Sequence, residues 1–265
     1  MARAAKGAGL IGVGALLVVA QLASLGPAAL AQTDTQLPTV SKECGEIAAA
    51  AAPLPHSATA LRDRKQLRIL AIGASSASML GGTRDTMPLL EQILERSIKG
   101  LDVEIINRGV SGELAAAAAE RLKIEVALNH PDVILWQVGT NDAFAQVPVE
   151  EFETTVRDML QWLKKHNVDA ILIGLHYMKQ LATHEHYQAI RASLRRIVAD
   201  EGVLRIGRYE SSEILARTMR EDGHPEPSTF GLNDGGYNCM AQYLARAIAV
   251  GLFAKPSVPP AKPTP

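Results

Sequence analysis

The stretch "LRILAIGASSASML", Leu67 to Leu80, changes character halfway along its length. Its first half is short, apolar and rich in aliphatic residues, which is typical of a buried strand. Its second half begins with Gly73-Ala74-Ser75-Ser76, which are all small residues. The stretch predicts a strand that ends in a tight corner carrying two hydroxyls. Such a corner is either a simple turn or the place of an exposed nucleophile.

The rest of the chain repeats this alternation of a short apolar run and a longer amphipathic segment. Strands of this kind separated by helices indicate βαβ units, and therefore a parallel sheet of about five strands covered by helices on both faces. The further strands are predicted at 102–109, 132–139, 169–175 and 203–207, and the helices at 86–99, 113–130, 149–166, 185–200, 211–220 and 234–252.

Residues able to do chemistry follow these strands directly. Ser75 follows the first strand, Gly112 the second, Asn141 the third and His176 the fourth. Ligands of open parallel sheets lie beyond the carboxyl ends of the strands, so we expect these four residues to share one edge.

Three of these residues suit acyl transfer, which needs a nucleophile and hydrogen-bond donors for the oxygen that becomes negative. Ser75 offers a hydroxyl and its own N–H, Gly112 offers an N–H that no side chain shields, and Asn141 offers an amide. Each also has a plainer explanation: Ser75 as a turn or cap residue, Gly112 as a glycine with positive φ, and Asn141 as a loop-ordering residue.

The segments "ILAIGASS", "INRGVSGE" and "HPDVILWQVGTND" resemble, in this order and spacing, the first three blocks of the SGNH hydrolases, the GDSL-type esterase superfamily. The resemblance matches Ser75, Gly112 and Asn141 to the family's Ser, Gly and Asn. It implies a flavodoxin-like three-layer α/β/α sandwich. It also implies hydrolysis of esters, thioesters or acetylated sugars without a metal or cofactor.

The family's last block departs from its pattern here. In "STFGLNDGGYNCM" the position that the resemblance assigns to the histidine is Gly231, and the one for the aspartate is Ser228. His224 and Asp222, just upstream, are the substitutes we consider for general base and orienting carboxylate. The alternative for His224 is an exposed loop histidine.

His176 is the other histidine beside the predicted cleft. We expect it to line the substrate cleft, and the role of base is its second possibility. Asp142, next to Asn141, is expected to cap the following turn or order its loop.

The N-terminal residues predict an exported protein, and composition divides the rest of the chain into segments. Residues 1–31 combine a basic start, an apolar centre and an Ala-x-Ala end, which is typical of a cleaved signal peptide; a retained membrane anchor is the alternative. Residues 32–63 read as a loose Ala- and Pro-rich lead-in with a short helix near 42–52, residues 64–254 as the SGNH-like domain, and residues 255–265 as a Pro-rich disordered tail. We therefore expect a secreted or periplasmic protein without a stable membrane span.

Cysteine content and charge limit the remaining possibilities. Cys44 and Cys239 are the only cysteines; outside the cell they favour a disulfide between the N-terminal segment and the last helix, with two free buried thiols as the alternative. The net charge of −1, with dispersed basic residues, gives no reason to expect a nucleic-acid partner.

These observations lead to a hypothesis of an exported serine esterase that acts on a small-molecule or glycan acyl ester. Ser75 would be the nucleophile, with Ser75, Gly112 and Asn141 as oxyanion hole. The alternative is a catalytically degenerate domain that binds an acylated sugar or envelope component without turning it over.

Overall fold

The computed structural model of the chain describes residues 36–45, 52–73, 86–221 and 234–254. Five parallel strands form its central sheet in the order β2-β1-β3-β4-β5. The strands are β1 (Gln66–Gly73), β2 (Asp102–Asn107), β3 (Val133–Gln137), β4 (Asp169–Ile173) and β5 (Leu204–Ile206).

One helix precedes the first strand, and the others connect the strands or follow the last one. The helices are α1 (Pro55–Arg64), α2 (Thr86–Ser97), α3 (Ala115–Asn129), α4 (Thr140–Phe144), α5 (Val149–Lys165), α6 (Glu185–Glu201), α7 (Arg208–Glu221) and α8 (Asp234–Phe253). Two short 3₁₀ helices, Lys42–Cys44 and Lys179–Leu181, lie in the connecting segments.

The side chains of β1 alternate between two buried clusters, as the two-residue period of a strand requires. Leu67 and Ile69 belong to the cluster that α2 and α8 cover. Leu70 and Ile72 belong to the cluster that α3, α5 and α6 cover. Each face of the sheet is therefore packed against helices, which is why the apolar runs of the sequence are nearly continuous.

This arrangement is the flavodoxin-like three-layer α/β/α sandwich, so the predicted fold class is confirmed. The strand order matches that of flavodoxin-like sheets, in which strands are added on one side of β1 and then on the other, so that the topological switch point lies between β1 and β3. The carboxyl ends of these two strands are paired: Gly73 lies opposite Gln137. A ligand site is expected at this end of the sheet.

The segment before β1 is more ordered than we expected. Pro55–Arg64 forms a helix, and the buried Ser57 donates both its N–H and its hydroxyl to Asp169 Oδ2 at 2.8 Å. The Leu54 N–H donates to the carbonyl of Gly251 in α8 at 3.0 Å. These partners are more than a hundred residues away in the chain, so the local sequence pattern did not reveal them.

Cys44 and Cys239 form a disulfide that ties the 3₁₀ helix before α1 to α8. Both cysteines are buried, and the hydroxyl of Tyr243 donates to the backbone carbonyl of Cys44. The predicted pairing of the N-terminal segment with the last helix is thus confirmed.

The predicted signal peptide (residues 1–31) and the predicted tail (residues 255–265) lie outside the described residues, and the domain boundaries stay predictions. No helix among the described residues is long and apolar enough to span a bilayer.

Candidate functional site

Gly73 ends β1 two residues before the predicted nucleophile, and no other residue fits its position. Its φ is +102°, and a Cβ there would lie 2.0 Å from the carbonyl oxygen of Gln137. A side chain would push β1 and β3 apart at their carboxyl ends. The glycine therefore lets the two central strands stay paired up to the corner that precedes Ser75.

Gly112 lies in the exposed loop between β2 and α3. Its φ is +80°, a conformation that glycine adopts without steric cost. Among the residues that the structure describes, no atom lies within 4 Å of where its Cβ would be. The positive φ that we considered as its plain explanation is present, and no described residue blocks the approach of a ligand to its N–H.

Asn141, in the first turn of α4, lies against the loop that carries Gly112. Its Nδ2 donates to the carbonyl of Glu113 at 3.0 Å, and its side chain is half-buried. The structure therefore brings the Gly112 loop and the Asn141 amide into contact at the carboxyl edge of the sheet.

Asp142 fixes these two loops relative to each other. One carboxylate oxygen accepts the N–H of Gly139 at 3.1 Å, and the other accepts the N–H of Ala115, at the start of α3, at 2.8 Å. Burial raises the pKa of this carboxyl, while the two N–H donors act in the opposite direction. The expected ordering of its own loop is present, and the link to α3 is an additional function that the sequence did not reveal.

Glu113 is a further residue of this corner that sequence reasoning missed. Its carboxylate is nearly inaccessible and accepts two hydrogen bonds from Arg121, at 2.7 and 2.9 Å. Arg121 also donates to the carbonyl of Arg108 at 2.7 Å. The loop that carries Gly112 is thus held at both ends by one arginine.

His176 follows β4 and belongs to a hydrogen-bonded group with Thr140 and Tyr187. Its N–H donates to the Thr140 hydroxyl at 3.1 Å, and the Tyr187 hydroxyl donates to its carbonyl. Burial, and then the charge of Arg208, lower the pKa of the His176 imidazole to about 3. The ring is therefore neutral at pH 7 and a weak base, which argues against the second role we considered for it.

Arg208 begins α7, two residues after β5, and is only 3% exposed. Burial lowers the pKa of its guanidinium to about 10, so the group remains charged at neutral pH. Sequence reasoning did not single it out, although its position directly after a strand was a usable signal.

The remaining predicted site residues lie outside the described residues. Ser75 falls in residues 74–85, and Asp222, His224, Ser228 and Gly231 fall in residues 222–233. Among the residues that the structure describes, no three His, Cys, Asp or Glu side chains group as ligands for a metal ion.

Solved structures with this fold include several ester hydrolases. The lipase/acylhydrolase from Enterococcus faecalis is 18% identical with a TM-score of 0.57, over 69% of this chain and 95% of that one. The acetylxylan esterase Axe2 from Geobacillus stearothermophilus is 18% identical with a TM-score of 0.55, over 69% and 94%. The acetyl xylan esterase AlAXEase is 19% identical with a TM-score of 0.57, over 69% and 100%.

A comparison with curated proteins finds no significant match. At these identities the structural relatives establish the fold alone. The family is established by a sequence model that covers most of the chain. Residues 27–253 match the non-GDSL lipase-like family, and the protein belongs to that family.

Proposed function

We propose that the protein is an exported serine hydrolase of the SGNH type that cleaves an acyl ester. The observation that carries the proposal is the contact between the Asn141 amide and the Gly112 loop at the carboxyl edge, beside the end of β1. Membership of a lipase-like family supports ester chemistry, and the Cys44–Cys239 disulfide supports an oxidising compartment.

The length of chain between Gly73 and Ser75 supports a position of the proposed nucleophile near these donors. Two peptide steps separate Gly73 from Ser75, so their Cα atoms lie within about 7.6 Å of each other. Gly73 is paired with Gln137, and Asn141 follows Gln137 by four residues. This short connection supports the proposal that Ser75 acts at the end of the sheet where the Gly112 loop and Asn141 meet.

In the proposed mechanism, Ser75 Oγ attacks the ester carbonyl and the carbonyl oxygen becomes negative. Three hydrogen-bond donors stabilise this oxyanion: the N–H groups of Ser75 and Gly112 and the second N–H of the Asn141 amide. Each such donor lowers the activation barrier by about 3–4 kcal/mol. Collapse expels the alcohol and leaves an acyl-enzyme, which water then hydrolyses.

The general base is assigned to His224, oriented by Asp222. The fourteen-residue helix α7 carries the chain about 20 Å from Arg208 to Glu221. Three further peptide steps span at most about 11 Å, so His224 serves Ser75 only if the chain turns back directly after α7.

A second function, binding without turnover, is favoured by a specific observation. The sequence carries Gly231 where the resemblance assigns the histidine, and the neutral His176 is a weak base. A domain without a base would bind an acylated sugar or envelope component through the same donors. Labelling by a fluorophosphonate probe separates the two functions, because only an activated serine reacts.

The first experiment is hydrolysis of p-nitrophenyl acetate by the full chain and by Ser75→Ala. Loss of the nucleophile is expected to lower kcat by about 10⁴-fold or more. Ser76→Ala is the matched control and should keep the wild-type rate, because we expect Ser76 to cap a helix. The single variant His224→Ala should lose activity as Ser75→Ala does. Equal rates for the wild type and Ser75→Ala would exclude the proposed nucleophile.

A further inference from the structure

Three arginines converge on one carboxylate beside the carboxyl ends of β4 and β5. Glu210, in the first turn of α7, accepts hydrogen bonds from Arg195 at 2.7 Å, Arg191 at 3.1 Å and Arg205 at 3.2 Å. Three positive charges against one negative charge leave a local excess of two. We call Arg191, Arg195, Arg205 and Glu210 the arginine cluster.

Positive charge from Arg191 of the cluster and from the neighbouring Arg208 acts on residues of the candidate site. Burial raises the pKa of the Tyr187 hydroxyl to about 12, and the charges of Arg208 and Arg191 act on it in the opposite direction. Arg208 also acts on His176. Because Tyr187 donates to the carbonyl of His176, the charged side chains and the predicted cleft residue belong to one contiguous region.

Aromatic rings connect the arginine cluster to the same cleft residue. The Arg191 guanidinium lies 3.5 Å from the ring centroid of Tyr209. The Tyr209 ring packs edge-to-face on Tyr177 at 5.2 Å, and Tyr177 directly follows His176 in the chain. Arginine held against an aromatic ring is fixed in orientation, which lowers the entropy it loses when it binds an anion.

Unsatisfied polar atoms concentrate in the same region. Among the described residues, the buried atoms His176 Nδ1, Arg191 Nε and Ser212 Oγ have no hydrogen-bond partner. All three belong to the segments that follow β4 and β5. A buried polar atom without a partner costs about 1–3 kcal/mol, and a polar ligand would offset that cost.

The geometry points to a subsite for a negatively charged group, a carboxylate or a phosphate, on the alcohol part of the ester. This inference rests on the proposed function, because the alcohol must extend from Ser75 toward β4 and β5. Helices α6 and α7 both begin at the carboxyl edge, so Arg191 and the first turn of α7 lie at the end of the sheet that carries Asn141. The arginine cluster and His176 bind the anion and leave the acyl group at the proposed oxyanion hole.

The test compares two pairs of acetyl esters that differ in charge. One pair is mono-O-acetyl glucuronic acid and mono-O-acetyl glucose, and the other is acetylglycerol phosphate and monoacetylglycerol. We expect kcat/KM of the full-length protein to be about tenfold to hundredfold higher for the charged member of at least one pair, because hydrogen bonds to charged groups are strong. The pair that shows the preference identifies the anion.

Arg191→Gln should remove most of this preference, because it should lower kcat/KM for the charged esters more than for the neutral ones. Arg196→Gln is the matched control: it lies on the same helix, is 56% exposed at its side chain and pairs with Glu153 of α5. The Arg196→Gln variant should keep the wild-type preference for the charged esters. If Arg191→Gln lowers only the melting temperature and leaves the preference intact, the arginine cluster is a purely structural ion-pair network and the inference is wrong.

Binding measured by calorimetry separates this inference from the proposed function. Ser75→Ala should bind glucuronate more tightly than glucose, and Arg191→Gln in the same background should lose that difference. If this binding difference is found and the wild-type protein hydrolyses none of the esters, the proposed function is overturned and the anion subsite is supported. Equal kcat/KM within both pairs, with normal hydrolysis, overturns the anion subsite and supports the proposed function.

Discussion

Asp142 is the residue on which the geometry of the candidate oxyanion hole depends. It lies next to Asn141, and its two oxygens accept N–H groups from two different segments, Gly139 after β3 and Ala115 at the start of α3. A carboxylate accepts on both oxygens, whereas an asparagine offers one acceptor and one donor amide. Two N–H donors at this position therefore favour a carboxyl group over an amide.

Replacing this carboxylate should affect kcat more than KM. In Asp142→Asn the new NH₂ group faces a backbone N–H, so one loop is released and the Gly112 and Asn141 donors lose their alignment. We expect kcat to fall about tenfold or more and stability to fall by about 1–3 kcal/mol. Steady-state kinetics and urea unfolding measure both. Asp158→Asn, on the exposed face of α5, is the matched control, and an unchanged kcat in Asp142→Asn would show that this carboxylate does not position the donors.

The lowered pKa of the His176 ring predicts that the stability of the protein depends on pH. Burial and Arg208 lower the pKa of its ring to about 3 from the ordinary 6.5. Between these values the unfolded chain binds a proton at this residue and the folded protein does not. The free energy of unfolding should therefore fall as the pH falls from 6.5 toward 3. The loss should be about 1.4 kcal/mol for each unit by which the pKa of His176 in the folded protein lies below that in the unfolded chain.

His176→Gln should remove this contribution to the pH dependence, because glutamine does not titrate. Urea unfolding of both proteins at pH 7 and pH 4 measures it, and His130→Asn, at the exposed end of α3, controls for the loss of a histidine. If wild type and His176→Gln lose the same stability between the two pH values, the ring is not held neutral by its surroundings.

At the scale of elements, the sequence predicted the five strands and the long helices because each has its own hydrophobic period. The runs before Gly73, Gly139 and Leu175 are apolar on both faces, and the structure covers both faces with helices. The short helix α4 was not predicted, because five residues do not establish a period. Helix α1 was missed because Ser57 and Leu54 are ordered by partners distant in the chain.

The residues of the candidate site also fall into two groups, those that the sequence predicted and those that it did not. Gly112 and Asn141 were predicted because they follow strands directly and resemble family blocks. Arg208, Glu113 and Tyr187 were not, because their importance depends on which loops meet at the carboxyl edge. Such contacts arise only when strands that are far apart in the chain become neighbours in the sheet.

At the scale of the whole molecule, the segment before α1 fastens α8 to the rest of the domain. The Ser41 N–H donates to Gln242 at 2.7 Å, and Arg246 donates to the carbonyl of Pro38 at 3.0 Å. Together with the Cys44–Cys239 disulfide, these contacts run along one side of α8, whose apolar side chains form a large part of the core under α2 and β1. A covalent bond thus closes the part of the chain between Cys44 and Cys239.

Closing such a long loop should stabilise the fold strongly. The bonded cysteines are 195 residues apart, and the chain-entropy relation gives about 5 kcal/mol for a loop of that length, with measured values for disulfides more often about 2–4 kcal/mol. The double variant Cys44→Ser/Cys239→Ser should therefore unfold at a lower urea concentration than the oxidised wild type. Adding reductant should shift the wild type toward the variant and leave the variant unchanged, which separates loss of the bond from the effect of the substitutions. If the reduced wild type unfolds at the same urea concentration as the oxidised form, the contacts of Ser41 and Arg246 hold α8 in place without the covalent bond.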